Sequence, residues 1–266
     1  MPLRDRWFRT TPDSSVLRRP RLLARSMIAL ADLDEHIGVY ERLLNARADL
    51  RMPIPDFGGL ELAAVGDLLL IASDRPFTPI QLKTTYSLIV PSLAGRLAAL
   101  QPLGVTVMEP PEMIVPGSRA RVRFPDATIA ELVEHRPRPR ETAAELGSTD
   151  GSAVRLLVRR AVPHGTLDAA VRFYESALQT EACAQFAAGG WDSCELAIVG
   201  NLLLVGSDEL WRDHDIRLAV ARPTAAMAEF RAHADRVGAE STVGDADGRT
   251  VLTLATGMAL ECWVMS

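Results

Sequence analysis

Apolar residues along the chain follow two periods. The runs LLARSMIAL (22–30), ELAAV (61–65) and LLLIA (68–72) read as strands, whereas Ile37, Tyr40, Leu43 and Leu44 fall on one face of a helix over 33–46. Gly66-Asp67 has the composition of a two-residue hairpin turn, so the strands at 59–65 and 68–72 pair with each other. A weaker strand near 48–54 completes a strand–helix–three-strand unit. The next stretch repeats the order. TTYSLIV (84–90) is strand-like, LAGRLAALQPLG (93–104) is a helix ending at a glycine, and 105–114, 119–124 and 128–134 are strands.

The whole pattern then returns. RLLAR (21–25) comes back as RLLVR (155–159), LDEHIGVYERLL (33–44) as LDAAVRFYESAL (167–178), and ELAAVGDLLLIASD (61–74) as ELAIVGNLLLVGSD (195–208). Residues 21–74 thus recur at 155–208, shifted by 134 positions without a gap. Solenoid units run to roughly 20–50 residues, so this is a duplicated domain instead. In the second copy, Val171, Tyr174, Ala177 and Leu178 mark the buried face of a helix at 167–180, and Gly200-Asn201 joins strands at 193–199 and 202–206. DIRLAV (215–220), a helix at 224–237 and strands near 249–254 and 258–264 follow. Four βαβββ modules give an α+β architecture, with helices packed on one face of curved antiparallel sheets. The expected organisation is a flexible arm at 1–20, a first domain at 21–135 (modules 21–74 and 84–135), a linker at 136–153 rich in Pro, Gly, Ser and charge, and a second domain at 154–266 (modules 155–208 and 214–266).

Three local features recur in a fixed order. A strand leads into a helix through Asp32-Leu33 running to Tyr40, and through Leu167 running to Tyr174. A turn of small residues precedes the last strand of each module. A glutamate sits late in that strand in modules two and four, in ATIAEL (127–132) and GMALEC (257–262). In these features the chain resembles the vicinal oxygen chelate superfamily of glyoxalases, bleomycin-resistance proteins and extradiol dioxygenases, over 21–135 and 153–266. The resemblance implies two tandem domains with cup-shaped sheets. It also implies a divalent metal held by a first-strand His and a last-strand Glu. The corresponding positions here are Arg25, Leu70, Thr85 and Glu131 in one cup, and Arg159, Leu204, Asp215 and Glu261 in the other. Guanidinium has no lone pair to give and leucine no donor atom, so these sets predict no metal and no other cofactor. Arg25 is instead expected to pair with Glu131, and Arg159 with Glu261, as guanidinium–carboxylate forks. The competing reading has both arginines pointing to solvent, because a one-residue slip in strand register flips every side chain.

Nothing else assembles a catalytic motif. His36, His135, His164, His214 and His233 show no metal-ligand spacing; His135 stands at the start of the linker, and His214 reaches the second cup only by a one-residue slip. Cys183, Cys194 and Cys262 are odd in number and form no CxxC pair, which argues against a disulfide framework. Neither a glycine-rich phosphate loop nor a G-x-S-x-G elbow is present. Phe57 and Trp191 are equivalent by the 134-residue shift and either wall a cup or pack; Trp263 shares the alternation of Glu261 and points toward the second cup.

Bulk properties narrow the class. The 266 residues carry a net charge of −5, with Lys83 the only lysine, an Arg bias expected of a high-GC bacterial genome. No basic face suggests nucleic acid, no run reaches the roughly 20 apolar residues of a membrane helix, and the arginine-rich start has no signal-peptide core. A cytoplasmic monomer or homodimer is expected. The leading functional expectation is metal-independent binding of a small, partly apolar organic molecule, as in antibiotic sequestration or natural-product metabolism. Its ligand contacts would come from Arg25, Phe57, Leu70, Thr85, Glu131, Arg159, Trp191, Leu204, Asp215, Glu261 and Trp263. Two alternatives stay open. One is a metal-free isomerase, cyclase or dehydratase, with Glu131 or Glu261 as acid/base, its pKa raised by the apolar cup, and Arg25 or Arg159 as oxyanion partner. The other is a metal-dependent glyoxalase- or dioxygenase-like enzyme. Fold alone does not choose among them.

Overall fold

The computed structural model describes residues 13–48, 50–54, 59–114, 117–137, 154–187, 194–208, 217–242 and 249–265. The apolar run at the start of the first repeat forms β1 (Arg21–Ala29), followed by α1 (Leu33–Leu44), β2 (Leu50–Ile54), β3 (Leu60–Val65) and β4 (Leu68–Ser73). Gly66 takes φ 58° in the turn, where a side chain would be strained, and Val65 pairs with Leu68 across it. β4 closes the module by lying parallel to β1, with Arg25 level with Leu69. The second module runs α2 (Pro79–Lys83), β5 (Thr84–Ile89), α3 (Leu93–Leu100), β6 (Thr106–Ile114), β7 (Gly117–Arg123) and β8 (Ile129–Glu134).

The second copy repeats the plan in β9 (Leu157–Val162), α4 (Leu167–Leu178), β10 (Ala182–Ala187), β11 (Glu195–Val199) and β12 (Leu202–Gly206). It continues with β13 (Leu218–Pro223), α5 (Thr224–Arg236), β14 (Glu240–Thr242), β15 (Arg249–Thr253) and β16 (Ala259–Met265). Each copy forms one eight-stranded sheet, ordered β2-β3-β4-β1-β5-β8-β7-β6 and β10-β11-β12-β9-β13-β16-β15-β14. The halves of each sheet join where β1 runs antiparallel to β5, and β9 to β13. Modules therefore pair within a copy. The chain divides into two compact units, one per sheet, with Gly38–Ala46 grouped with the second.

Strand alternation gives each sheet two faces. In the first sheet, Leu22, Ala24, Leu68, Leu70, Tyr86, Leu88, Ala130 and Leu132 are fully buried on the helix side, where α3 packs on β7 and β8. In the second, α4 packs on β11 and β12, and α5 on β13 and β16. Burying each such leucine stabilises the fold by about 1.5–3 kcal/mol.

The helices end slightly earlier than their apolar pattern suggests, for local reasons. α1 and α4 both stop at left-handed residues in equivalent positions, Asn45 (φ 48°) and Gln179 (φ 53°). α3 gives way to a 3₁₀ turn at Gln101–Leu103, where Pro102 has no N–H to continue the ladder, and Gly104 at φ 80° ends it. α2 was not expected. It forms because Thr78 and Gln81 make a reciprocal capping box with Pro79 in the first turn. Among the described residues, no helix is long and apolar enough to cross a membrane.

Candidate functional site

On the other face of the first sheet, alternate residues converge on a cavity of about 270 Å³. β1 contributes Leu23 and Arg25, β4 Leu69 and Ile71, β5 Ser87 and Ile89, and β8 Glu131 and Val133. Leu50, Met52 and Ile54 of β2 add an apolar wall with Leu60 and Leu62 of β3, while Thr78, Ile80 and Gln81 bring the rim of α2 over it. The volume lies just below that of ligand pockets, roughly 300–1,000 Å³.

One end of the cavity is charged. Arg25 Nη1 donates to Glu131 Oε2 at 2.7 Å and to Ser87 Oγ at 2.9 Å. β7 sends two more guanidiniums to the same carboxylate, Arg119 Nη1 at 3.0 Å and Arg121 Nη2 at 3.2 Å from Oε1. The opposing strand β6 supplies their outer partners. Arg121 bonds Glu109 at 2.5 Å and Arg119 bonds Glu112 at 2.9 Å. Burial pushes the Glu131 carboxyl up, but Arg25 and Arg121, helped by Arg119, outweigh it and hold the group at about 2. The sequence suggested the opposite shift. It is overturned because the apolar cup does not surround Glu131 without cations; three of them touch it.

The second sheet uses its equivalent face differently. Arg159 Nε donates to Glu261 Oε2 at 3.1 Å, and Arg249 Nε donates to Oε1 at 2.8 Å. The indole Nε1 of Trp263 donates to Oε2 at 2.7 Å. Glu261 and Trp263 are fully buried, the ring packing among Leu157, Ala161, Cys194, Leu196, Leu203, Val205 and Ala219. Burial pushes the Cys194 thiol up to about 12, which leaves it an inert packing group.

Both expected Arg–Glu pairs therefore form, and Trp263 lies on the cup face with Glu261. Leu70 and Leu204 do not join them. In β4 and β12 it is Leu69 and Leu203 that stand level with Arg25 and Arg159, so Leu70 and Leu204 turn to the helix side. Thr85 is displaced as well. The pairing of β5 with β8 is irregular between Thr84 and Tyr86, and Ser87 is the residue level with Glu131. Phe57, Trp191 and Asp215 lie outside the described residues, as does His214.

Arg119, Arg121, Glu109 and His135 are cup residues that the sequence reading did not place there. Arg119 and Arg121 were legible in S-R-A-R-V-R (118–123), where every second residue of a strand is cationic. Glu109 sits across from Arg121 in the antiparallel pair. His135 continues the alternation Glu131, Val133 into the cavity, beyond the end of β8. It is buried, and its Nδ1 has no hydrogen-bond partner among the described residues. Burial, with Arg136 and Arg21 nearby, lowers its pKa to about 4, so the imidazole is neutral at pH 7.

The cup-facing set Arg25, Leu69, Ser87 and Glu131 does not fit a divalent transition metal. It has no imidazole, and the oxygens of its one carboxylate are engaged by guanidiniums. Among the described residues, no three His, Cys, Asp or Glu converge as a metal-binding group.

No family model matches this sequence, and no curated protein does. Solved structures do. An uncharacterised protein from Methanosarcina mazei is 30% identical over 45% of this chain and 95% of its own, with a TM-score of 0.40. The 2,3-dioxygenase LapB from Pseudomonas sp. KL28 is 14% identical over 93% of this chain and 92% of its own, with a TM-score of 0.51. An extradiol ring-cleaving dioxygenase from B. fuscum is 14% identical over 96% of this chain and 74% of its own, with a TM-score of 0.52. At that identity the likeness to the two dioxygenases concerns architecture, and it spans both eight-stranded sheets. The chain has the α+β fold of the vicinal oxygen chelate superfamily, with four βαβββ modules in two curved sheets.

Proposed function

We propose that the protein binds a small, partly apolar organic molecule in the cup of its first unit, without a metal ion, in the manner of antibiotic sequestration or the handling of a natural-product intermediate. The observation that carries this reading is the cavity itself, an apolar-walled space with a single charged end. That is the usual composition of a small-molecule site. The donor set at the family's metal position supports the metal-free part, since an arginine stands where an imidazole is needed.

Acid/base catalysis by Glu131 finds less support. A carboxyl held at about 2 is almost never protonated at neutral pH and is a weak base. Its role in this reading is to fix three arginine side chains in place at the end of the cavity.

Native mass spectrometry of the full chain, purified from its own host without chelator, tests the proposal. The expected result is a co-purified organic mass that leaves on denaturation, with no stoichiometric metal. A near-stoichiometric transition metal would overturn the metal-free reading.

A further inference from the structure

The cavity is polar at both ends. Glu131 and its guanidiniums mark one, and His135 marks the other, four residues further along the chain, or roughly 13 Å of extended backbone. Both ends hold a buried polar atom with no hydrogen-bond partner among the described residues, Arg121 Nε and His135 Nδ1. His135 is held in place through its backbone. Its N–H donates to Ser14 Oγ at 3.0 Å and its carbonyl accepts from Ser14 N at 3.1 Å, while Ser14 Oγ donates to Val90 O at 2.7 Å.

The charge balance at the first end is uneven with depth. Three guanidiniums converge there on Glu131, and Glu109 lines the cavity beside them. Two further partners of Arg119 and Arg121, Glu109 and Glu112, are 39% and 57% exposed at the rim. The Arg119–Glu112 bond is exposed and contributes little, so an incoming anion can replace it at small cost. A carboxylate suits the paired forks of Arg119 and Arg121.

We propose that the ligand is an elongated apolar monocarboxylate, its carboxylate docked on Arg119 and Arg121 and a hydroxyl or carbonyl at its far end meeting His135. This rests on the reading of the cup as a binding site and adds the chemical class of what it takes. At neutral pH the uncharged imidazole offers one donor and one acceptor, which suits a neutral oxygen and not a second anion.

Calorimetric titration of the full chain with decanoate, decanol, decylamine and ω-hydroxydecanoate tests it, with Val133→Trp as a blocked-cup control. Decanoate should bind about tenfold tighter than decanol, the gain of a charge-assisted bond, with decylamine weakest. Arg119→Gln should shrink the acid-over-alcohol preference. The ω-hydroxyl should tighten binding several-fold, and His135→Leu should erase that gain. If decanol matches decanoate, or decylamine binds best, while Val133→Trp blocks them all, the cup remains a binding site and the carboxylate proposal falls. If nothing binds, or Val133→Trp changes nothing, both readings fall. The comparison among ligands uses the unaltered chain, so it holds even if a variant fails to fold.

Discussion

The two cups share an arginine and a glutamate, and they differ in what stands around that pair. Glu131 and Glu261 are equivalent, each paired with the first-strand arginine of its own sheet. From there the register can be read across. Val133 of the first cup corresponds to Trp263 of the second, Arg121 to Val251, Arg119 to Arg249, and Ser87 to Ala219. In the second sheet a tryptophan fills the space and supplies the last hydrogen bond to the carboxylate. In the first sheet a valine leaves that space open, and a second β7 arginine makes up the bonding. A buried ion pair is thus compatible with either a packed core or a cavity, and the residue two positions after the glutamate decides which.

The largest test of this contrast is Trp263→Ala. It removes the side chain that fills the second cup and one of the donors to a fully buried carboxylate, so stability to urea should fall by about 3–5 kcal/mol. A loss below about 1 kcal/mol would mean that the second cup collapses or was never tightly packed.

Acid titration probes the charged end of the first cup. The Glu131 carboxyl moves from its ordinary 4.5 to about 2 on folding. Because the folded pKa is the lower, its contribution of about 3 kcal/mol is present above pH 4.5 and lost as pH falls toward 2. His135 moves from 6.5 to about 4. Only the unfolded chain takes up that proton between these values, so stability also declines from pH 6.5 toward 4, by up to about 3 kcal/mol. Glu131→Gln should flatten the lower window and His135→Leu the upper. A stability profile unchanged by either variant would break the account of this site.

Val133→Trp moves the aromatic of the second cup into the first. Ligand affinity should drop about a hundredfold, near 2.7 kcal/mol. Overpacking costs about 1–3 kcal/mol where a core is already full, but here the ring has a cavity to enter, so the melting temperature should change little. Retained binding would show that the ligand does not use this space.

The sequence made the modules, their order and both Arg–Glu pairs legible, because repeats and alternation are local properties of the chain. Its misses lie where geometry depends on a neighbour. Leu70 was placed by the resemblance alone, yet the parallel register with β1 brings Leu69 level with Arg25. An irregularity in β5 moved the cup position from Thr85 to Ser87. Composition marked His135 as the start of a linker, but Ser14, remote in sequence, bonds its backbone and fixes it beside the cavity. The pKa of Glu131 went the wrong way for a similar reason. Arg119 and Arg121 come from another strand, and only the antiparallel pairing of β7 with β8 brings them to it.

The smallest expected effect separates the rim from the interior. Glu112 bonds Arg119 at 2.9 Å but is 57% exposed, on the edge strand β6. Water screens such a pair, so Glu112→Gln should cost less than about 1 kcal/mol. Arg119 keeps its bond to Glu131, so the guanidinium stays in place with less negative charge around it. Decanoate affinity should then rise modestly while decanol affinity stays level, as measured by the same titration. A stability loss above about 2 kcal/mol would place Glu112 within the structural network that holds the arginines. In that case the first cup, like the second, would be a closed set of partners with no part left to exchange for a ligand.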